Sequence, residues 1–139
     1  MTDSSIPVLH STLCCAALVL FLVGCAKQPD IGLVEGHGII RMDNQPLANA
    51  EVVFELGGMY GPTVTRGRTD AEGRYRLTFA NSYRGTFKGK QKVRITALED
   101  VGQQPIPARY NEQSVLTVEV TEGGAPYDFD LTSLPAEEP

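Results

Sequence analysis

The side chain with the best-defined chemistry in this sequence is the thiol of Cys25. It closes an uninterrupted apolar stretch that begins at Leu13, and the small residue Gly24 precedes it in the run Leu22-Val23-Gly24-Cys25. A thiolate in such a position accepts a diacylglycerol, the peptide is cut before the cysteine, and the new amine is acylated. The run therefore predicts a lipoprotein signal peptide over residues 1–24 and lipidation of Cys25 by chains such as palmitate.

The apolar stretch is too short to be interpreted as a membrane-spanning helix. Such a helix needs about 20 apolar residues, whereas this stretch ends at Gly24 and polar residues follow at once. Residues 1–12 contain no Lys or Arg, although export signals usually begin with a positive segment. Either the natural start differs from Met1, or the free amine supplies the charge. An export signal that is not cleaved or not lipidated is the alternative.

Cysteine usage and charge exclude several kinds of chemistry. Cys14 and Cys15 lie inside the predicted signal peptide, so a chain that begins at a lipidated Cys25 has no thiol for a disulfide, a zinc ribbon or a nucleophile. Removal of residues 1–24 takes away one of the 17 acidic residues, Asp3, and none of the 12 basic ones, which leaves a net charge of −4. This charge disfavours a nucleic-acid partner, and the lipid on Cys25 is the predicted contact with a membrane.

Alternation of apolar and polar residues after Pro29 predicts a fold made of β-strands. Val52 and Phe54, for example, alternate with Glu51 and Glu55, which turns one side of a strand toward a core. No segment shows an apolar 3.6-residue period over the length of an ordinary helix. Because crossover helices are missing, we expect an antiparallel Greek-key β-sandwich. About seven strands are predicted, at residues 33–42, 51–56, 63–69, 74–79, 92–97, 116–121 and 127–131.

These patterns also set the expected domain boundaries. After the signal peptide, residues 25–32 are the lipidated cysteine and a short tether, residues 33–132 are the sandwich, and residues 133–139 are an acidic, disordered tail. A tether of about eight residues reaches roughly 26 Å when fully extended. We therefore expect the domain to lie close to its membrane, either the cell membrane or the outer membrane.

Two turns can be read from their residue types. Asp43-Asn44-Gln45-Pro46 is expected to join the first two strands, and Thr69-Asp70-Ala71-Glu72-Gly73 the third and fourth. In the second turn Asp70 can cap the backbone with its carboxylate, while Gly73 takes a positive φ. Asp70 and Glu72 could instead begin a calcium loop, but the further oxygen ligands of an EF-hand are missing. The sequence favours a structural turn.

The residues around these turns carry a family resemblance. Residues 38–54 and 67–77 look like the carboxypeptidase regulatory-like, or transthyretin-like, domain. Residues 89–95, 107–116 and 129–131 resemble small bacterial lipoproteins built from that domain. The resemblance covers nearly all of residues 33–132 and depends on turns and core positions. It implies a seven-stranded, prealbumin-like sandwich outside a membrane, and it implies no activity.

An enzyme is the first functional class to weigh. Tyr83-Arg84-Gly85-Thr86 resembles the terminal motif of the hydroxyisourate hydrolases, which share the transthyretin-like fold, but here the motif is internal. Those enzymes need more than one histidine, whereas His37 is the only one after Cys25, and alternation places it on the polar side of its strand. One histidine cannot supply three zinc ligands, and no Ser has the context of a nucleophile elbow. We predict no catalytic residue, metal site or cofactor.

A binding module and a passive structural protein are the other classes. The chain has no Trp on which a sugar would stack. Met59 and Tyr60, in the glycine-rich loop 57–62, are candidate contacts for a protein or glycan partner, but the sequence favours a loop that packs back on the sandwich. Two charge ladders are expected to pair across strands or to repel foreign strand edges. The ladders are Asp128 and Asp130 on one strand, and Lys88, Lys90, Lys92 and Arg94 on another.

Tyr110 has a predicted structural role in the connection 105–113, and the alternative is a functional tyrosine that reaches a ligand. At such a corner of a Greek-key sandwich a tyrosine packs its ring under the connection and bonds its hydroxyl to upstream backbone. Taken together, the sequence predicts a lipid-anchored, extracytoplasmic β-sandwich with a noncatalytic binding or structural role in the cell envelope. The first alternative is an accessory module of a separate envelope enzyme or secretion system. The second, less favoured, is a transthyretin-like hydrolase.

Overall fold

The computed structural model describes residues 30–98 and 105–135. Within these ranges the chain forms twelve short strands and one turn of 3₁₀ helix, Ala108–Tyr110, which confirms the predicted all-β fold. The predicted signal peptide, Cys25 and residues 136–139 of the predicted tail lie outside the described residues. The strands are β1 (Leu33–Val34), β2 (His37–Met42), β3 (Gln45–Pro46), β4 (Ala50–Leu56), β5 (Thr63–Arg68), β6 (Arg74–Arg76), β7 (Thr78–Phe79), β8 (Tyr83–Arg84), β9 (Thr86–Phe87), β10 (Gly89–Ala97), β11 (Thr117–Val120) and β12 (Phe129–Leu131).

Two sheets hold most of these strands. The larger sheet has the order β11-β10-β4-β5-β7-β8. The smaller sheet has the order β12-β2-β3, and β6 pairs with β2 beside it, while β1 and β9 form a separate two-stranded sheet. Each described pair is antiparallel except β12 with β2, which is parallel. The expectation of a wholly antiparallel sandwich is therefore wrong at this pair.

Two of the predicted strands are divided in the structure. Residues 33–42 break into β1 and β2 at Gly36, and residues 74–79 break into β6 and β7 at Leu77. The two breaks touch, because the backbone N–H of Leu77 donates a 2.7 Å hydrogen bond to the carbonyl of Gly36. At this point residues 74–79 leave the smaller sheet, where β6 pairs with β2, and join the larger one, where β7 pairs with β5. The alternation of apolar and polar residues continues where the chain changes sheets, so the sequence pattern does not reveal the change.

The two sheets pack over one hydrophobic core. The fully buried ring of Phe54, on the larger sheet, lies 6.1 to 6.3 Å from the rings of Tyr75, Tyr127 and Phe129 on the opposite side. Burial of these aromatic and aliphatic side chains is the main favourable term in the folding of such a domain. The inward positions predicted by alternation are confirmed at Val52, Phe54, Tyr75, Leu77, Val93, Ile95, Val120, Tyr127 and Leu131.

The N-terminal end of β4 marks one end of the fold, which we call the far end. Before β4, the N–H of Asn49 donates to the carbonyl of Thr69, and the carbonyl of Asn49 accepts from Leu98 after β10. The chain after β2 and the chain after β12 meet nearby, where the N–H of Asp43 donates to the carbonyl of Leu131.

The C-terminal end of β4 marks the opposite end, which we call the entry end because the described chain begins there. Leu56 pairs with Gln91 of β10, and the side-chain amide of Gln91 donates to the carbonyl of Phe87. Phe87 in turn pairs with Leu33 of β1. With a rise of about 3.3 Å per residue, β4 separates the two ends by roughly 20 Å.

Candidate functional site

A cleft of about 630 Å³ lies against the smaller sheet. Its walls come from β2, β6, the end of β5 with the turn that follows it, and the segment before β12. A concave site with several converging polar groups is the usual place for a small ligand. The charged and titratable side chains that line it are His37, Arg68, Asp70, Arg74, Tyr75, Arg76 and Asp128.

The pairing of β2 with β6 brings His37 and Arg76 side by side. They are directly opposite in the antiparallel register, a position in which Cβ atoms lie about 4.5–5.5 Å apart. The next pair in the register, Gly38 with Tyr75, is buried, so His37 and Arg76 lie on the outer side of the sheet. Within residues 30–98 and 105–135, no carboxylate lies within 4 Å of the Arg76 guanidinium. In the described part of the chain, the cleft therefore offers a cation without a carboxylate partner beside an imidazole.

Asp128 supplies the anionic side of the cleft. Its Oδ1 accepts a 2.8 Å hydrogen bond from the backbone N–H of Ile39, which fixes the carboxylate against β2. Among the described residues Oδ2 has no hydrogen-bond partner. A hydrogen-bond acceptor thus lies in the same cleft as the cations.

A hydrogen bond and a close backbone approach join β6 and β2 to the segment before β12 on the buried side of the cleft. The hydroxyl of Tyr75 donates a 2.5 Å hydrogen bond to the carbonyl of Tyr127. Burial raises the pKa of Tyr75 well above its usual range, and the negative charge of Asp128 adds to this effect, so the phenol stays neutral. A Cβ atom at Gly38 would lie 2.0 Å from the Tyr127 carbonyl oxygen, and only glycine allows the two backbones to approach so closely.

The turn at residues 69–73 has the predicted structure. Asp70 Oδ1 accepts hydrogen bonds from the N–H of Glu72 at 3.0 Å and of Arg74 at 2.9 Å, which confirms its role as a cap. The Arg74 guanidinium bonds Asp70 Oδ2 at 3.0 Å and Glu72 at 3.2 Å. Partial loss of solvent alone would raise the pKa of Asp70, but the hydrogen bonds from Arg74 and Glu72 outweigh it, and the pKa lies below its ordinary value.

Gly73 closes this turn with the positive φ that the sequence predicted, +75°. A Cβ atom there would lie 2.4 Å from the carbonyl oxygen of Ile40. Both carboxylate oxygens of Asp70 are occupied by donors from the turn itself, which supports the structural interpretation over a calcium loop. In the part of the chain that the structure describes, no three His, Cys, Asp or Glu residues are grouped so that they could hold a metal ion.

The candidate partner contacts, Met59 and Tyr60, do not line the cleft. Met59 and Tyr60, between β4 and β5, are 91% and 99% exposed. Their loop is at the entry end, because β4 ends there. The favoured prediction that this loop packs back on the sandwich is therefore wrong for these two side chains.

The hydrolase-like run of residues 83–86 also lies outside the cleft. Thr86 is fully buried, and its hydroxyl lies 2.8 Å from the hydroxyl of Thr65 and 3.1 Å from the side-chain nitrogen of Gln91. These hydrogen bonds join β5, β9 and β10 inside the fold. None of the four residues lines the cleft.

The role predicted for Tyr110 needs correction. Its ring is buried, but its hydroxyl accepts a 3.2 Å hydrogen bond from the N–H of Thr132, which lies downstream. The predicted bond to upstream backbone is therefore wrong for Tyr110. Tyr127 makes that kind of bond instead, because its hydroxyl accepts from the N–H of Thr121 and donates to the carbonyl of Thr121, both at 3.2 Å. Alternation predicted only the burial of Tyr127.

Three members of the predicted charge ladders, Asp130, Lys88 and Arg94, pair with opposite charges. Asp130 lies 3.3 Å from Arg41 of the neighbouring strand. Lys88, just before β10, lies 3.8 Å from Glu122. The remaining pair joins the guanidinium of Arg94 to the carboxylate of Glu55.

Comparison with known proteins adds no assignment: no family model, no curated protein and no solved structure matches this chain. The resemblance to the carboxypeptidase regulatory-like domain thus stays a prediction. Over residues 30–98 and 105–135, none of the helical segments has the length and apolar character needed to cross a bilayer.

Proposed function

We propose that this protein is a lipid-anchored, extracytoplasmic β-sandwich of the carboxypeptidase regulatory-like class with a noncatalytic binding role in the cell envelope. The observation that carries the binding role is the cleft, in which Arg76 and His37 lie together and neither has a carboxylate partner among residues 30–98 and 105–135. The anchoring is supported by the run that ends at Cys25, and the class is supported by the all-β fold and the capped turn at residues 69–73.

The cleft has the chemistry to bind an anionic group that carries a hydroxyl beside it. A guanidinium forms short, charge-assisted hydrogen bonds with carboxylates, often with two parallel N–H donors. Arg76 supplies those donors, and His37 supplies an imidazole next to them. Asp128 repels a second negative charge but accepts a hydrogen bond from a neutral hydroxyl. A uronic acid, with a carboxylate and several hydroxyls on one ring, has this combination.

The arrangement of the lining residues supports binding rather than catalysis. None of the described residues that line the cleft is Ser, Thr or Cys, the side chains that form covalent intermediates most often. Asp70 and Arg74 are bonded to each other. The imidazole of His37 has no carboxylate within the described part of the chain that would orient it as a general base.

Titration of the full chain in detergent micelles with sodium glucuronate tests the binding role. Backbone amide resonances of β2 and β6 are expected to shift. Replacement Arg76→Ala removes one charge-assisted interaction and should weaken binding about tenfold. Arg66→Ala is the matched control, because Arg66 lies 3.8 Å from Glu51 and does not line the cleft. Equal binding by wild type and Arg76→Ala would refute the proposed site.

The anchoring is tested separately by partitioning into a detergent phase. Cys25→Ser should stay uncut and unlipidated, because acylation of the thiolate is the step that the predicted signal serves. Each acyl chain contributes on the order of 10 kcal/mol of membrane partitioning, at about 0.8 kcal/mol per methylene. Cys14→Ser is the matched control and should partition like wild type. If Cys25→Ser and wild type partition alike, the protein is not anchored through this residue.

A further inference from the structure

We infer that the loop at residues 57–62 is a second membrane contact, in which Met59 and Tyr60 enter the interface of the bilayer that holds the lipid on Cys25. The inference rests on the proposed lipid anchoring of Cys25. It assigns these two side chains a lipid partner in place of the protein or glycan partner that was the alternative interpretation of the sequence.

The exposure of the two side chains is the first observation. Met59 and Tyr60 are almost completely exposed, although both have large apolar surfaces that favour removal from water. Tyrosine is enriched where membranes meet water, because its ring is apolar and its hydroxyl can stay hydrated. The pair therefore has the composition of a shallow membrane contact.

The position of the loop is the second observation. The loop follows β4 at the entry end, where Leu56, Gln91, Phe87 and Leu33 connect β4 to the first described strand. Only four residues, 26–29, separate Cys25 from Asp30, so the two Cα atoms lie at most about 18 Å apart. A lipid on Cys25 thus holds the entry end toward the membrane, while the far end lies roughly 20 Å farther away along β4.

The charges at this end favour an apolar contact over an electrostatic one. Lys88 lies 3.8 Å from Glu122, so the two charges offset each other. Asp30 adds a further negative charge close to the point where the chain enters. Ile31, beside it, is also exposed and adds apolar surface. Binding should therefore occur on neutral lipids and depend little on salt.

A single fluorescent reporter tests the contact. The chain contains no Trp, so Tyr60→Trp gives a protein with one tryptophan at the loop. The full chain is produced in a bacterial host, checked for lipidation by mass spectrometry, and reconstituted into phosphatidylcholine vesicles with or without lipids brominated on their acyl chains. The matched control is Leu134→Trp, because Leu134 is 69% exposed and follows β12 at the far end.

The tryptophan of the Tyr60→Trp variant should show blue-shifted emission in vesicles. It should be quenched more strongly by bromines near the headgroups than by bromines near the chain ends, because an interfacial contact enters only about 5–10 Å. The tryptophan of the Leu134→Trp variant should keep its aqueous spectrum. A lipidated Tyr60→Trp protein with an aqueous, unquenched spectrum would overturn the loop contact alone. A protein that carries no lipid on Cys25 would overturn the anchoring, and the loop contact with it.

Discussion

Two connections between neighbouring strands of this molecule are built in opposite ways. The turn at residues 69–73 uses its polar groups internally: Asp70 accepts two backbone N–H groups, and the Arg74 side chain joins Asp70 to Glu72. The loop at residues 57–62 has one internal backbone hydrogen bond, from Gly61 to Gly58, and leaves its apolar side chains in solvent.

The contrast separates residues that specify the fold from residues that are free to meet a partner. A turn whose donors and acceptors bond one another fixes the geometry of the strands on either side. A loop that exposes Met59 and Tyr60 gains nothing in folding from these side chains. Substitutions in the two connections should therefore have very different effects on the free energy of unfolding.

The largest difference is expected between two glycines. Gly73→Ala places a Cβ atom 2.4 Å from the Ile40 carbonyl oxygen at a φ of +75°. The combined strain and overpacking should destabilise the fold by about 4 kcal/mol. Gly57 has no atom within 4 Å of its Cβ position, so Gly57→Ala should change stability by less than about 0.5 kcal/mol. Urea unfolding measures both, and similar midpoints for the two variants would show that the turn does not constrain the fold.

Substitutions of two tyrosines, one buried and one exposed, should show a smaller difference in the free energy of unfolding. Tyr110→Ala removes a buried ring and its bond to Thr132, and it should cost about 3 kcal/mol. Tyr110→Phe should cost about 1 kcal/mol, because it removes only the hydrogen bond. Tyr60→Ala is the control, since its ring is almost fully exposed. The comparison would fail if Tyr60→Ala were as destabilising as Tyr110→Ala in chemical denaturation.

The smallest effect concerns the pH dependence of the capped turn. The pKa of Asp70 in the folded protein lies below its ordinary value of 3.8. Its contribution to stability is therefore complete above 3.8 and is lost as the pH falls through the lower, folded-state pKa. Asp70→Asn should lower the urea midpoint at pH 7, and the gap to wild type should shrink in acid. A gap that stays constant or widens in acid would contradict the role of the ionised carboxylate.

Sequence alone predicted the local features of the fold well. The alternation in β4, β6 and β10 and the residue types of the turn at residues 69–73 depend on near neighbours, so they can be read directly. The switch of residues 74–79 between sheets could not be read this way, because inward positions continue on both sides of Leu77. The parallel pairing of β12 with β2 was missed for a similar reason, since a strand has the same period in either direction.

The cleft depended on pairings that a single sequence does not contain. His37 was correctly placed on the polar side of its strand, but its neighbour Arg76 is known only from the register of β2 with β6. The carboxylate of Asp128 accepts a hydrogen bond from the N–H of Ile39, although the two residues lie almost ninety positions apart in the sequence. The exposure of Met59 and Tyr60 was also missed, because the sequence favoured a loop that packs back on the sandwich, and residue types alone do not show whether a loop meets the fold again.

The parallel pair of β2 and β12 bears on how the domain responds to mechanical force. β2 is near the start of the described chain and β12 near its finish. A pull on the two ends of the chain would draw these strands in opposite directions along their length. The hydrogen bonds between β2 and β12 lie across the direction of the applied force. They therefore resist the force together and must break at the same time. An antiparallel partner in the same place would peel apart one bond at a time under less tension.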